Sequence, residues 1–202
     1  SKRSTDDKTC FDFYKERADD YLFGNQHAAW RPFQLAFILL NLDGIIQRPD
    51  DLKWERRNEL VDLVWFPTGG GKTEAYLGII ALSIISRRRQ YPVNGGGTTA
   101  IMRYTLRLLA TQQFQRAMRL ILALEQLRRW KLYDLGDEPI SIGLFVGEDS
   151  LPNNAKSLSD ECQKWNTIDD SEKRRESKIP LDKCPCCGRP LKYQNKGTAT
   201  AP

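Results

Sequence analysis

The sequence predicts an α/β fold in which a parallel sheet is flanked by helices, and three observations lead to this prediction. An apolar run at residues 60–66 feeds a glycine turn that opens a helix. A second apolar run at residues 98–104 follows that helix, and parallel strands require such a crossover. Hydrophobic residues make up 40% of the chain and charged residues 28%, which is typical of a globular protein. One domain of this class and an appendage fit into 202 residues.

Composition and charge limit the partners and the cellular location that the sequence predicts for this protein. The net charge of +5 is compatible with a polyanionic partner such as nucleic acid. No apolar run approaches the ~20 residues of a membrane span, so the sequence predicts no membrane association. The chain starts at Ser1 without an apolar leader, which predicts no secretory signal. Its five cysteines include isolated Cys10 and Cys162 and suggest no disulfide framework, which favours a cytoplasmic location.

The first predicted element of the domain is a helix that follows a lead-in over residues 1–29. The sole histidine, His27, lies in this lead-in, and a lone histidine is usually a surface or capping residue. Arg31-Pro32-Phe33-Gln34 then opens a helical segment, residues 35–42, with proline at an early position where its missing N–H costs little. The predicted domain extends over residues 30–150.

The glycine turn has the composition of a phosphate-binding loop. Consecutive glycines 69–71 can adopt positive φ, so that successive N–H groups point at one anion. Lys72 then supplies a cation and Thr73 a hydroxyl for Mg²⁺, at the positive end of the next helix. Phe66 stands where the common P-loop pattern has its first glycine. A plain turn would have no need of lysine and threonine here.

The elements that follow keep the alternation of helix and strand. Residues 75–86 form a predicted helix, and Arg87-Arg88-Arg89 occupies its last turn, where cations suit the helix dipole. After the strand at 98–104, a long helix runs to Leu127 with one apolar stripe. Residues 140–147 are then the third predicted strand.

The C-terminal region, residues 151–202, is predicted to be a polar insertion that contains a zinc knuckle. Cys184-Pro185-Cys186-Cys187-Gly188 places the thiols of Cys184 and Cys187 three residues apart on a tight turn, which suits Zn²⁺. Tetrahedral zinc needs four ligands, so a second pair must come from outside this sequence or from Cys162. A redox Cys-x-x-Cys pair is the alternative, although such a pair normally follows a strand.

The run from Pro67 to Thr73 resembles motif I of superfamily 2 helicase-like ATPases, and three other elements support the resemblance. An Arg-x-x-Gln element precedes motif I in that family, and Gln34 lies 38 residues before Lys72. The stretch 104–113 is similar to motif Ia, and Gly147 at the end of the third predicted strand resembles a small glycine motif of the family. The resemblance covers roughly residues 30–150 and implies part of a RecA-like P-loop domain, the first lobe of such an enzyme.

The resemblance also implies roles for individual residues. ATP and Mg²⁺ would be held by Thr68, Gly69, Gly70, Gly71, Lys72, Thr73 and Glu74, with Lys72 and Thr73 as catalytic residues. The amide of Gln34 would pair with the adenine edge. Thr105 and Arg107 would contact nucleic-acid phosphates, and Gly147 would approach the nucleic-acid backbone. DNA is the favoured nucleic acid.

The implied function is ATP hydrolysis coupled to movement on nucleic acid. Within the family, the zinc-bearing insertion together with residues 66–74 and 103–113 looks most like a helicase-like component of a phage-defence system, which implies a partner subunit in a defence complex. No acidic box of the motif II type follows Gly147, so we expect the chain to be part of a larger enzyme and inactive by itself. The competing class is a zinc-containing nucleic-acid-binding module with a vestigial P-loop that does not hydrolyse ATP.

Overall fold

The computed structural model describes residues 29–46, 61–65, 69–104, 107–147 and 154–167, and near the C-terminus residues 181, 183–186, 188–189 and 191. These residues contain four helices. They are α1 (Pro32–Ile45), α2 (Lys72–Gln90), α3 (Arg107–Arg129) and α4 (Ala155–Thr167). The predicted helices after Arg31, after Lys72 and through Leu127 are therefore confirmed.

Helices α1 and α2 pack against each other. The rings of Phe37 and Tyr76 meet edge to face, with centroids 5.9 Å apart. A glycine allows this close packing, because a Cβ on Gly78 would lie 2.9 Å from both Ile38 Cδ1 and the ring of Trp30. The pairing therefore fixes the start of α2 relative to the N-terminal end of α1.

The last turn of α2 contains a buried arginine, Arg88, which is only 6% exposed. Its guanidinium donates to the carbonyl oxygens of Leu135 at 3.4 Å and Pro139 at 3.2 Å, and also to that of Glu138. The charge pattern predicted a dipole role for all three arginines of this turn. Arg88 instead anchors the segment that follows α3.

Helix α3 buries the predicted apolar stripe, which includes Ala117, Ile121 and Leu124. Glu125 is also buried, although it is charged. Its carboxylate accepts hydrogen bonds from Arg128 at 2.7 and 2.8 Å and from Arg129 at 2.9 Å. Burial of this carboxylate is tolerated because its oxygens are paired.

The chain divides into two compact units. The first comprises Ser1–Met102 and Leu120–Ser141 and includes α1, α2 and the C-terminal part of α3. The second comprises Arg103–Arg119 and Ile142–Pro202 and includes the N-terminal part of α3 and all of α4. None of the four described helices is both long and apolar enough to cross a membrane.

The prediction of a RecA-like P-loop parallel sheet is wrong for this structure, since the described residues contain no strand. Strands of a parallel sheet are covered on both faces and hydrogen-bonded to neighbours. The described parts of the predicted strands, 61–65, 98–104 and 140–147, instead leave large apolar side chains exposed. These are Val61 (94%), Leu63 (84%), Trp65 (86%), Ile101 (80%) and Phe145 (103%). Helices α1 and α2 pack against each other, while Leu35, Leu39 and Leu40 of α1 also remain exposed, and no strand among the described residues covers them.

Candidate functional site

Two glycines of the predicted phosphate loop adopt left-handed backbone conformations. Gly69 has φ +80° and Gly71 has φ +90°, a region that residues with a Cβ rarely adopt. A Cβ on Gly71 would also lie 2.7 Å from Gln34 Nε2. The backbone angle therefore favours glycine at position 71, and the side chain of Gln34 would have to shift to accept any other residue there.

Helix α2 begins directly after this loop. Lys72 is its first residue, Gly71 is the residue before it, and no side chain caps the helix N-terminus. The first N–H groups of a helix lack acceptors within the helix and carry the positive end of its dipole, so this end can bind an anion. Thr73 follows in the first turn, where it could provide a hydroxyl to Mg²⁺. These are groups that a bound phosphate would need, and nucleotide binding itself stays a prediction.

The side chains of Arg31 and Gln34 hold this loop from the N-terminal end of α1. Gln34 Nε2 donates to the carbonyl of Gly71 at 2.7 Å, and Gln34 Oε1 accepts the backbone N–H of Arg31 at 2.8 Å. Arg31 Nη1 donates to the carbonyl of Gly70 at 3.0 Å. Gln34 is 5% exposed, whereas Arg31 is exposed. Both ends of the Gln34 amide therefore bind backbone groups.

Sequence reasoning singled out Gln34 for the adenine edge and did not assign Arg31 to the site. The signal for Arg31 was the Arg-x-x-Gln spacing itself, because Arg31 and Gln34 reach neighbouring glycines of one loop. Pairing of Gln34 with adenine stays a prediction. The two hydrogen bonds use one N–H and one lone pair of the amide, which has two of each.

Glu74, another predicted nucleotide contact, lies in the first turn of α2. One of its carboxylate oxygens would be 3.4 Å from a Cβ on Gly71, which places the carboxylate close to the loop. Thr68, the remaining residue of the predicted set, lies outside the described residues.

The predicted nucleic-acid contacts are described only in part. Arg107 is the first residue of α3, but its side chain and Thr105 lie outside the described part of the chain. Gly147 is exposed, and a Cβ built on it would meet no described atom within 4 Å. Among the described residues, no neighbouring group therefore demands glycine there. All three assignments stay predictions.

The cysteine-rich turn closes on itself through backbone hydrogen bonds. The N–H of Cys184 donates to the carbonyl of Arg189 at 2.8 Å, and the N–H of Gly188 donates to the carbonyl of Cys184 at 2.9 Å. Gly188 has φ +72°, which allows the chain to reverse. Cys184 is buried, and Cys187 lies outside the described residues.

Two helices of the second unit bind carbonyls near this turn. Arg119 Nε of α3 donates to the carbonyl of Pro185 at 2.7 Å. Trp165 Nε1 of α4 donates to the carbonyl of Leu191 at 3.0 Å, and the Trp165 side chain is fully buried. The turn is thus held to both α3 and α4.

The described side chains do not form a complete metal centre, since they include no group of three or more potential ligands. Burial raises the pKa of the Cys162 thiol, and the charge of Glu161 raises it further. Cys162 as a further ligand, and zinc itself, therefore stay predictions.

The chain is similar to a protein of Bacillus paralicheniformis, the DISARM protein DrmA. The two are 43% identical over 178 residues, which cover 84% of this chain and 15% of that protein. This chain therefore corresponds to about one seventh of the relative's length. The similarity supports a DISARM-related identity, in agreement with the predicted resemblance to a phage-defence component. No family model and no solved structure matches the chain.

Proposed function

We propose that this chain is the ATP-binding part of a DISARM-related helicase or DNA translocase, in which ATP hydrolysis is coupled to movement on nucleic acid during antiphage defence. The junction of Gly71 and Lys72 carries the proposal. A left-handed glycine there leads into an uncapped helix whose first residue is a lysine. The 43% identity to the DISARM protein DrmA supports the phage-defence context.

In this proposal the residues of the loop bind ATP-Mg²⁺ through its phosphates. Lys72 binds β- and γ-phosphate oxygens, Thr73 contacts Mg²⁺, and the N–H groups at the start of α2 bind further oxygens. Bound Mg²⁺ would neutralise the charge that develops during phosphoryl transfer. The acidic residue that orients the attacking water and the second lobe would come from other parts of the larger enzyme.

The proposed nucleic-acid contacts are Thr105, Arg107 and Gly147. Affinity for DNA should fall as salt rises, because phosphate contacts release counterions. A partner subunit in a DISARM-type complex and a zinc-bound Cys184–Cys187 pair complete the proposal.

Nucleotide binding is tested with Lys72→Ala in the protein that contains this region. We expect ATP-Mg²⁺ affinity to fall about tenfold or more, since the variant removes a cation from the phosphates. Lys156→Ala, which removes an exposed lysine at the start of α4, is the matched control and should bind as the wild type does. Equal affinities of Lys72→Ala and wild type in calorimetry would refute the assignment.

Steady-state hydrolysis across a DNA titration separates the enzyme from a nucleic-acid-binding module. The full-length protein should hydrolyse ATP faster when DNA is present, and Arg107→Ala should reduce that stimulation more than the basal rate. Residues 1–202 alone should bind ATP without turnover. A full-length protein that binds DNA and shows no hydrolysis would favour the module with a vestigial P-loop.

A further inference from the structure

We infer that Arg31 and Gln34 are positioning residues that orient two consecutive backbone N–H groups, those of Gly71 and Lys72, for binding phosphate. The inference rests on the proposed function, because it assumes that the loop holds the phosphates of a nucleotide. It assigns Arg31 a role and gives Gln34 a task that is independent of the base.

The geometry of the peptide bond determines where these two N–H groups point. In a trans peptide the C=O of one residue and the N–H of the next point in opposite directions. The chain contains no cis peptide in its described parts. Because the carbonyl of Gly70 points at Arg31, the N–H of Gly71 points away from it. Likewise, the carbonyl of Gly71 points at Gln34, so the N–H of Lys72 points away.

Both carbonyls are thus turned toward the N-terminal end of α1, and both N–H groups are turned away from it. An anion can bind beside these N–H groups only in this arrangement. Rotation of either peptide plane would replace the N–H group with a carbonyl oxygen, which is partly negative and repels the anion. Glycines permit such rotation more readily than other residues. The two side-chain hydrogen bonds therefore select one loop conformation out of many.

Gln34 is itself held in place, which makes it suitable for this task. It is 5% exposed, and its Oε1 accepts the Arg31 N–H in the manner of a capping residue. Helix α1 packs on α2, the helix that begins with Lys72. The groups that orient the loop and the helix that follows it thus belong to one packed pair.

The positions of these hydrogen bonds determine which part of the nucleotide Gln34 and Arg31 affect. The amide of Gln34 donates one N–H to the loop and accepts one from Arg31, and in this inference its contribution to binding acts through the loop on the phosphates. Loss of Gln34 or Arg31 should therefore weaken binding of a triphosphate without a base as much as binding of ATP. Substitution of a residue that contacts only adenine would lower the affinity for ATP and leave the affinity for a triphosphate without a base unchanged.

The experiment compares inorganic tripolyphosphate and ATP, each with Mg²⁺, as ligands in calorimetry. Gln34→Met keeps the side-chain volume and removes both hydrogen bonds, and Arg31→Met removes the guanidinium. Each variant should bind both ligands about 3- to 10-fold more weakly, by the same factor for the two ligands. Arg31→Lys, which retains a donor and the charge, should recover part of the affinity.

Two control variants should bind both ligands as the wild type does. Asn41→Ala removes another amide of α1, one that donates to the carbonyl of Phe37. Arg89→Met removes an exposed arginine at the far end of α2, about 25 Å along the helix from Lys72 at 1.5 Å per residue. Because Arg31 is exposed, its substitution keeps the test valid even if Gln34→Met lowers the stability of the fold.

The outcomes separate this inference from the proposed function. If Gln34→Met weakens ATP and leaves tripolyphosphate unchanged, the glutamine reads the base and the inference is overturned. If Lys72→Ala weakens both ligands while the Arg31 and Gln34 variants bind normally, the inference fails and the nucleotide site remains. If Lys72→Ala binds both ligands normally, the proposed site fails.

Discussion

Glu125 accepts the backbone N–H of Ile140 at 2.9 Å and so ties α3 to a residue fifteen positions further along the chain. The pKa of this carboxyl is lowered to about 2, mainly by the hydrogen bonds from Arg128 and also by those from Ile140 and Arg129, although burial opposes the shift. The carboxylate thus binds two arginines of α3 and also holds the segment that begins at Ile140.

This shift predicts acid sensitivity of the fold. A carboxyl whose pKa is lower in the folded state stabilises the fold above its unfolded pKa, here 4.5, and loses that effect as pH falls toward about 2. We expect a loss of about 2 kcal/mol in the free energy of unfolding across this window, less than the full shift would give because the 12% of the side chain that stays exposed lets solvent screen its ion pairs. Urea unfolding from pH 6 to pH 2 measures it.

Glu125→Gln should remove most of this pH dependence and be less stable at neutral pH. Asp134→Asn, which changes an exposed carboxylate of the same unit, should keep the wild-type dependence of the free energy of unfolding on pH. Parallel curves for wild type and Glu125→Gln would contradict the prediction.

The neighbouring arginines at the end of α2 predict a contrast in stability. Arg88→Met removes a buried guanidinium that donates to three carbonyls, and these would be left without that partner. We expect the free energy of unfolding to fall by about 2–4 kcal/mol. Arg89→Met is the matched control because Arg89 is exposed on the same turn, and its effect should stay within about 0.5 kcal/mol. Similar midpoints of chemical unfolding for the two variants would show that Arg88 does not anchor the segment after α3.

The cysteine-rich turn predicts bound zinc in the intact protein. Elemental analysis should find zinc that is lost from the Cys184→Ser/Cys187→Ser double variant, since tetrahedral sites depend on their thiolates. Cys10→Ser should retain the metal, and Cys162→Ser tests whether that residue is a further ligand. Zinc at wild-type occupancy in the double variant would rule out this ligand pair.

The sequence by itself determined the local elements of this protein. Pro32 indicated the start of α1, the glycine run indicated the loop before Lys72, and the apolar stripe through Leu124 indicated α3. These features depend on backbone angles and on the helical period, which neighbouring residues specify. The Gly-Lys-Thr composition also indicated the candidate phosphate site without knowledge of any distant contact.

The tertiary structure alone decided which distant groups meet. Gln34 contacts Gly71 over 37 residues and Arg88 contacts Leu135 over 47, and no local pattern specifies such partners. The predicted sheet failed for the same reason, because an apolar run becomes a strand only when neighbours pair its backbone and cover its faces. In the described residues α1 and α2 pack on each other instead, and Val61, Trp65 and Phe145 remain exposed.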